Sequence, residues 1–109
     1  MIGAPPPPAR VQVVAREFRL ALSRQTIRAG WAVLELRNMG EDAHDLVLER
    51  TGTNRILIRW PLAQPGAVVD REVKLRPGTY RLSCTVANHR ALGMHATLEI
   101  GRASCRERV

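Results

Sequence analysis

The chain has few aromatic residues, few cysteines and no long apolar run. Only 4% of its 109 residues are aromatic while 45% are hydrophobic, so aliphatic side chains must fill any core. The length suffices for one ordinary domain and is too short for two. No apolar stretch is long enough to cross a membrane as a helix, no signal-peptide pattern is present, and no glycine-rich phosphate loop appears. These absences indicate one small domain without phosphate-loop nucleotide chemistry.

The two cysteines, Cys84 and Cys105, differ in context. Cys105 lies in the segment "IGRASCRERV", residues 100–109, which resembles a translated sequencing adapter at every position. We therefore expect residues 101–109 to be a non-native tail. With that tail removed the natural chain has a single cysteine, which excludes an internal disulfide.

The N-terminal segment, residues 1–10, contains the run "APPPPA". Consecutive prolines favour a stiff, extended polyproline linker. We expect this segment to be a linker or a truncated N-terminus. An export signal, a membrane tether or another domain is then expected upstream of Met1.

The net charge of +7 includes +2 from the expected tail, which leaves +5 spread over alternating positions. Nucleic-acid-binding proteins more often cluster basic residues and interleave them with aromatic ones. We therefore expect no nucleic-acid partner. An acidic protein and an anionic membrane fit the basic excess equally well.

Short segments of alternating apolar and polar residues, separated by turn residues, dominate residues 11–100. Seven such segments recur at intervals of about ten residues, the pattern of an all-β sandwich or small barrel. They lie at residues 11–22, 32–36, 46–48, 56–60, 69–75, 80–86 and 96–100. Pro61 is expected to end the fourth segment, and "RAG" at residues 28–30 is expected to be a turn.

The segment "CTVANHRALGM" contains Cys84, His89 and Met94, with four residues between each of them and the next. A thiolate, an imidazole and a thioether suit copper better than magnesium or calcium, which prefer oxygen ligands. Zinc normally takes more sulfur or histidine and no methionine. His44, directly before the strand "DLVLE", is the best candidate for a fourth ligand. Two histidines, one cysteine and one methionine form the donor set of a blue-copper site.

Structural roles remain open for each of these residues taken singly. Cys84 could be a small buried hydrophobic residue, Met94 a core filler and His44 a strand cap. A cysteine–histidine hydrolase would use Cys84 and His89, but no surrounding motif supports it and Met94 would have no role. His95 is expected to face solvent.

Two blocks of the sequence resemble the cupredoxins. They are "ELRNMGEDAHDLVLE" and "LRPGTYRLSCTVANHRALGMHATLEI", and the resemblance extends over residues 11–100. The spacing in the second block resembles the longer-loop branch that includes sulfocyanin and rusticyanin. The resemblance implies a Greek-key β-sandwich with one mononuclear type 1 copper, in which Cys84, His44 and His89 form a plane and Met94 is the axial ligand. Ala87-Asn88 replaces the Pro-Gly of many relatives, and Asn88 is expected to tolerate a left-handed conformation.

The function implied by this resemblance is single-electron transfer between redox partners outside the cytoplasm, by a monomeric protein that is not an enzyme. The docking patch is expected around His89 and residues 90–92. A copper carrier or sensor, a domain of a larger oxidase or membrane-anchored protein, and a cupredoxin-like fold without tight copper are the alternatives. Asp45 is expected to orient His44 or its loop, with an ordinary surface carboxylate as the alternative. Asn38 is expected to tie the two ligand loops together by hydrogen bonds, with an ordinary Asn turn as the alternative.

Overall fold

Two β-sheets contain most of the residues that the computed structural model describes, which are residues 7–53 and 55–102. Their strands are β1 (Ala9–Arg16), β2 (Arg19–Leu22), β3 (Thr26–Arg28), β4 (Gly30–Asn38), β5 (His44–Arg50), β6 (Arg55–Ala63), β7 (Val68–Leu75), β8 (Gly78–Ser83) and β9 (His95–Gly101). One short helix, α1 (His89–Leu92), lies between β8 and β9.

The strand order is β2-β1-β4-β7 in the first sheet and β3-β9-β8-β5-β6 in the second. Strands β1 and β4 pair in parallel, as do β3 and β9, and the remaining pairs are antiparallel. The all-β sandwich predicted from the sequence is confirmed.

The core lies between the sheets because apolar residues occupy every second position of the central strands. In β1 and β4 the buried positions alternate with more exposed ones, and β8 and β9 contribute from the other sheet. The residues that meet in the centre include Val11, Val13, Leu34, Leu36, Leu46, Leu48, Leu82 and Leu98. The indole nitrogen of Trp60 in β6 donates to the carbonyl oxygen of Leu34 in β4 at 3.2 Å, which joins the two sheets through a buried hydrogen bond.

Nine strands are present in the described residues where the sequence pattern predicted about seven. The predicted segment 11–22 is two strands, β1 and β2, which pair antiparallel around Glu17 and Phe18. Residues 26–28 form β3 because they pair in parallel with residues 99–101 of β9. A partner so distant in sequence leaves no local signal, so the sequence pattern missed this strand. The turn predicted at residues 28–30 is present, since Ala29 alone separates β3 from β4.

The prediction that Pro61 ends a strand is wrong, because β6 continues to Ala63. Strand β6 lies at the edge of its sheet, where a proline does not interrupt a ladder on both sides. The pairing with β5 also shifts register here, since His44 pairs with Ala63 but Leu46 pairs with Trp60. The extra residue of this bulge accommodates Pro61.

The predicted boundaries at the two ends of the domain fall partly outside the described residues. Residues 1–6 of the expected linker and residues 103–109 of the expected tail are not described. Strand β1 begins at Ala9, and β9 ends at Gly101, whose carbonyl oxygen accepts from the backbone N–H of Ala29. In the described part of the chain, no helix is long and apolar enough to span a membrane.

Candidate metal centre

One end of the sandwich, here called the site pole, brings the predicted ligands together. It consists of the β1–β2 turn at residues 17–18, the loop 39–43 before β5, and the loop 84–94 between β8 and β9. Strands β5 and β8 are antiparallel neighbours, so the first residue of β5, His44, lies at the same end as Cys84, the residue after β8. Tertiary pairing therefore makes neighbours of two side chains that are 40 residues apart in sequence.

The ligand atoms of His44, Cys84 and His89 form a tight buried group. The Cys84 Sγ atom lies 3.8 Å from Nδ1 of His44 and 3.7 Å from Nδ1 of His89. The three ligand atoms are all within 4.8 Å of one another, and all three residues are buried. The two imidazole rings are tilted by 59° with centroids 5.1 Å apart.

Glu17, which no sequence motif indicated, orients the ring of His44. Its Oε2 atom lies 2.7 Å from Nε2 of His44. An ionised carboxylate can only accept, so Nε2 donates in this contact, and Nδ1 is the nitrogen that faces Cys84. His89 has a weaker counterpart, because its Nε2 lies 3.7 Å from the carboxylate of Asp42. Both imidazoles thus direct Nδ1 inward.

The carboxylate of Glu17 is held by the loop that precedes β5. It accepts backbone N–H groups from Glu41 and Asp42, each at 2.9 Å. These two hydrogen bonds are the main reason that the pKa of Glu17 falls from 4.5 to about 2. A Cβ atom at Gly40 would lie 2.5 Å from the Glu17 carboxylate, so the loop approaches this closely only because residue 40 is glycine.

Cys84 is fully buried, and burial raises the pKa of its thiol above the ordinary value. A cation among the three ligand atoms would oppose this effect by favouring the thiolate. The next residue, Thr85, donates its backbone N–H and its hydroxyl to the carboxylate of Asp45. Asp45 therefore fixes the cysteine loop to the start of β5, beside His44.

Met94 is fully buried and is connected through its backbone to two of the other predicted ligands. Its N–H donates to the carbonyl oxygen of His89 at 3.0 Å, and its carbonyl oxygen accepts from the N–H of Cys84 at 3.1 Å. These bonds close the loop 84–94 into a compact unit around α1. The four residues predicted as ligands therefore share one pole.

Three further expectations about this pole concern the backbone conformation at Asn88, the role of Asn38 and the exposure of His95. The left-handed residue of the loop is Ala87, with φ of 45°, and not Asn88, whose φ is −102°. Asn38 donates to the carbonyl oxygens of Asp42 and Ala63, so it ties the His44 loop to β6. His95 is exposed and is not part of the buried group.

The β1–β2 turn covers the site, and no sequence motif indicated this role. The ring of Phe18 packs against the ring of His89, with centroids 5.0 Å apart and planes tilted by 54°. The carbonyl oxygen of Phe18 approaches Gly93 so closely that a Cβ atom there would lie 2.6 Å from it. The turn therefore contacts both ligand loops, through Glu17 on one side and Phe18 on the other.

The spacing of the three ligand atoms fits a single transition-metal ion. Typical metal–nitrogen and metal–sulfur distances are about 2.0 and 2.3 Å. If the ion lay in the plane of the three ligand atoms, equally spaced around it, sulfur and each nitrogen would be about 3.7 Å apart. The observed separations are 3.8 and 3.7 Å. The inward nitrogens, the buried thiol and the carboxylate behind His44 are the features of a preformed metal site.

No family model matches the sequence, and no curated protein matches it. Solved structures do match. An auracyanin from Roseiflexus castenholzii is 18% identical, with 85% of this chain and 97% of that chain covered and a TM-score of 0.73. Auracyanin A, described as a "blue" copper protein from Chloroflexus aurantiacus, is 16% identical over 87% and 100% of the two chains, with a TM-score of 0.70. Rusticyanin from Thiobacillus ferrooxidans is 14% identical over 84% and 77%, with a TM-score of 0.67. At these identities the likeness establishes the fold.

Proposed function

We propose that this chain, which has the cupredoxin fold, is a mononuclear blue-copper protein that carries single electrons between redox partners. The observation that supports this most directly is the buried group of one thiol and two inward imidazole nitrogens within 4.8 Å of one another. In this proposal Cys84, His44 and His89 hold the ion, and Met94 supplies a weak thioether ligand. Bound copper would supply a Cu(I)/Cu(II) couple.

The donor set favours copper over other ions. Soft thiolate and thioether sulfur select copper, zinc or iron–sulfur clusters, whereas magnesium and calcium require oxygen. Among the sulfur-binding choices, one cysteine with two histidines and a methionine is the blue-copper combination. Auracyanin A, whose fold this chain shares, is itself a "blue" copper protein.

The residues around the site suit electron transfer because they limit movement. Glu17 fixes His44, Asp45 fixes the residue after Cys84, and the backbone of Met94 bonds to both Cys84 and His89. Side chains held in this way move little when charge changes at the site, which lowers the reorganisation that each electron requires. The buried position of all three ligand atoms also excludes water from them.

A redox partner would dock on the apolar surface beside His89. The side chain of His89 is 8% exposed, while Phe18, Met39 and Leu92 at the same pole are exposed to 38%, 49% and 50%. Three large apolar side chains around one nearly buried ligand form a surface suited to transient contact. We propose that electrons leave through His89 across this surface, and that the protein acts as a monomer outside the cytoplasm.

Copper binding tests the proposed function. We expect one equivalent of Cu(II) added to the full chain to give an intense visible band from cysteinate-to-copper charge transfer. The Cys84→Ser variant should lack the band, whereas Cys105→Ser should keep it. A colourless wild type, or an equal band in both variants, would contradict a blue-copper site at Cys84.

Reversible redox cycling separates a shuttle from a copper carrier. A shuttle should cycle between Cu(I) and Cu(II) by voltammetry without losing metal to a chelator. Loss of copper on reduction would contradict electron transfer as the function. Trapping the released metal would instead identify a carrier.

The docking surface has its own test. Leu92→Glu places a charge on the apolar surface at an exposed position outside the buried group, so we expect slower electron exchange with a redox partner and an unchanged visible spectrum. His95→Glu is the matched control, because His95 is also exposed and lies outside the buried group. Equal rates for wild type and Leu92→Glu would exclude this surface.

A further inference from the structure

The end of the sandwich opposite the site, here called the far pole, collects basic side chains. It contains the segment 23–29, which includes β3, the loops 51–53 and 76–77, and the adjoining strand ends. Seven basic residues lie there: Arg24, Arg28, Arg50, Arg55, Lys74, Arg76 and Arg102, of which only Arg102 belongs to the expected non-native tail. Residues 23–29, 51–53 and 76–77 contain no aspartate or glutamate, and Glu49 and Glu99 lie on the adjoining strands.

These cations line three concave surfaces at the far pole. The largest, of about 550 Å³, is bordered by Arg50, Arg55, Lys74 and Arg76, and a second is bordered by Lys74, Arg76 and Pro77. Arg24, Arg28 and Arg102 border the third. No acidic residue lines any of them, and among residues 7–53 and 55–102 none of the seven lies within 4.0 Å of a carboxylate oxygen. Glu49 also borders Arg50, but its carboxylate is paired with Arg90 at 3.6 Å, so none of the seven cations has an ion-pair partner among the described residues.

Part of this charge is held in place by the fold. The guanidinium of Arg50 donates to the hydroxyl of Tyr80 at 2.8 Å and to the carbonyl oxygen of Pro77 at 2.9 Å. The Tyr80 hydroxyl in turn donates to the carbonyl oxygen of Arg76. The loop that bears Arg76 is thus fixed against the end of β5, and the cations beside it keep a defined arrangement.

The site pole has a different charge balance. Four acidic residues, Glu17, Glu41, Asp42 and Asp45, lie in its loops or next to them, together with Arg16 and Arg19, which flank the β1–β2 turn, and Arg90 in α1. Charge is therefore asymmetric along the strand direction. A negatively charged surface would attract the far pole and not the site pole.

An exposed tryptophan lies at the edge of the far pole. Trp31, the second residue of β4, is 54% exposed and is paired with Lys74 of β7. An indole has an apolar body and one polar N–H group, so it favours the interface between lipid headgroups and acyl chains. A tryptophan beside a group of lysine and arginine residues is a typical feature of protein surfaces that bind anionic membranes.

We propose that the far pole binds the surface of an anionic lipid bilayer and holds the site pole away from it. The seven cations are spread over three neighbouring concavities of both sheets, so they fit an extended layer of negative charge better than one small anion. Proteins that bind single-stranded nucleic acid typically stack bases on several exposed aromatic side chains among the cations, and among the described residues of this pole Trp31 is the exposed aromatic. Binding of this kind leaves the apolar surface beside His89 open to a soluble partner.

Sedimentation with lipid vesicles tests the proposal on the full chain. We expect binding to vesicles of phosphatidylcholine and phosphatidylglycerol but not to phosphatidylcholine alone. Each basic residue near an anionic surface contributes about a fivefold change in affinity, so Arg55→Gln, Lys74→Gln and Arg76→Gln together should weaken binding roughly 100-fold. High salt should abolish it, since the Debye length is about 3 Å at 1 M.

The matched control removes the same charge from exposed positions outside the far pole, Arg16→Gln, Arg19→Gln and Arg59→Gln. The affinity of this variant for anionic vesicles should fall by less than about tenfold, because the three side chains lie farther than a Debye length from the docked membrane surface. Equal losses of vesicle affinity in the two triple variants would show that binding depends on net charge alone, and would overturn the proposal. All six side chains are exposed, so both variants should keep the melting temperature of the wild type.

Tryptophan fluorescence gives a second, independent measurement. Trp31 is exposed while Trp60 is 3% exposed, so a blue shift on adding anionic vesicles should come from Trp31 and disappear in Trp31→Phe. Binding to polyglutamate without binding to vesicles would overturn the proposal and identify an acidic protein as the partner. None of these measurements requires bound copper, so they are independent of the proposed electron transfer.

Discussion

At the scale of single residues, Glu17 contributes most that the sequence did not indicate. Its carboxylate accepts two backbone N–H groups and contacts Nε2 of His44, so one side chain orders a loop and orients a ligand. Glutamates are common on solvated strand ends, and nothing in the local sequence distinguishes this one. Its role depends on Gly40, which lets the loop approach the carboxylate.

Glu17→Gln is expected to lower the melting temperature of the metal-free protein at pH 7. The pKa of Glu17 is about 2 in the folded state against an ordinary value of 4.5, so its ionised form stabilises the fold above about pH 4.5. That contribution is lost as the pH falls toward 2, and the difference between wild type and variant should shrink over the same range. Thermal unfolding at a series of pH values measures this. Glu41→Gln is the control. An equal decrease in its melting temperature would contradict the stabilising role assigned to the ionised Glu17 side chain.

Ala87→Gly is expected to stabilise the protein by about 0.5–1 kcal/mol. A left-handed backbone costs a non-glycine residue roughly 1–2 kcal/mol, and the greater freedom of glycine in the unfolded chain offsets about half of this. Ala87 has φ of 45°, whereas the φ of Asn88 is −102°. Denaturant unfolding should therefore show a gain for Ala87→Gly and a loss or no change for Asn88→Gly. The reverse order would contradict this loop conformation.

At the scale of elements, the β1–β2 turn packs against both ligand loops and holds them together. Glu17 contacts the loop before β5, and Phe18 contacts both His89 and Gly93 in the loop before β9. The sequence pattern treated residues 11–22 as one strand, which hid this turn. The two ligand loops are thus held from outside by an element that supplies no ligand.

Gly93→Ala is expected to destabilise the fold by more than Gly52→Ala. Both glycines have positive φ, of 129° and 89°, so each substitution should cost roughly 1–3 kcal/mol in backbone strain. At Gly93 the new Cβ would also lie 2.6 Å from the carbonyl oxygen of Phe18, whereas at Gly52 nothing lies within 4 Å. Unfolding in urea measures the difference. Equal losses in the free energy of unfolding would mean that the β1–β2 turn does not contact Gly93 in solution.

At the scale of the whole molecule, the two poles carry separate roles in our proposals. The site pole holds four buried or nearly buried residues of a copper donor set, and the far pole carries seven basic residues around concave surfaces. The β-sandwich separates these functions by the length of its strands. Electron exchange at one end would therefore be compatible with membrane contact at the other.

Copper should stabilise the folded protein as a whole. A metal that binds only the native state at 100 times its Kd contributes about 2.7 kcal/mol, which corresponds to an increase of at least roughly 10 °C in Tm for a domain of this size. We expect this increase in calorimetric scans of wild type and Cys105→Ser, and not of Cys84→Ser. A similar increase in Cys84→Ser would place the bound metal elsewhere.

Local sequence patterns were sufficient to predict the all-β architecture and the chemistry of the candidate site. Strand periodicity is local, and so is the Cys84-to-Met94 spacing, so both can be recognised without knowledge of contacts. The same locality explains why β3 was missed and why Pro61 was expected to end a strand, because the pairing of β3 with β9 and the edge position of β6 are not local properties. Three features required the folded chain: Glu17 orients His44, Phe18 covers His89, and scattered arginines gather at one pole. Each depends on which strand ends the fold makes neighbours, and no local pattern encodes that.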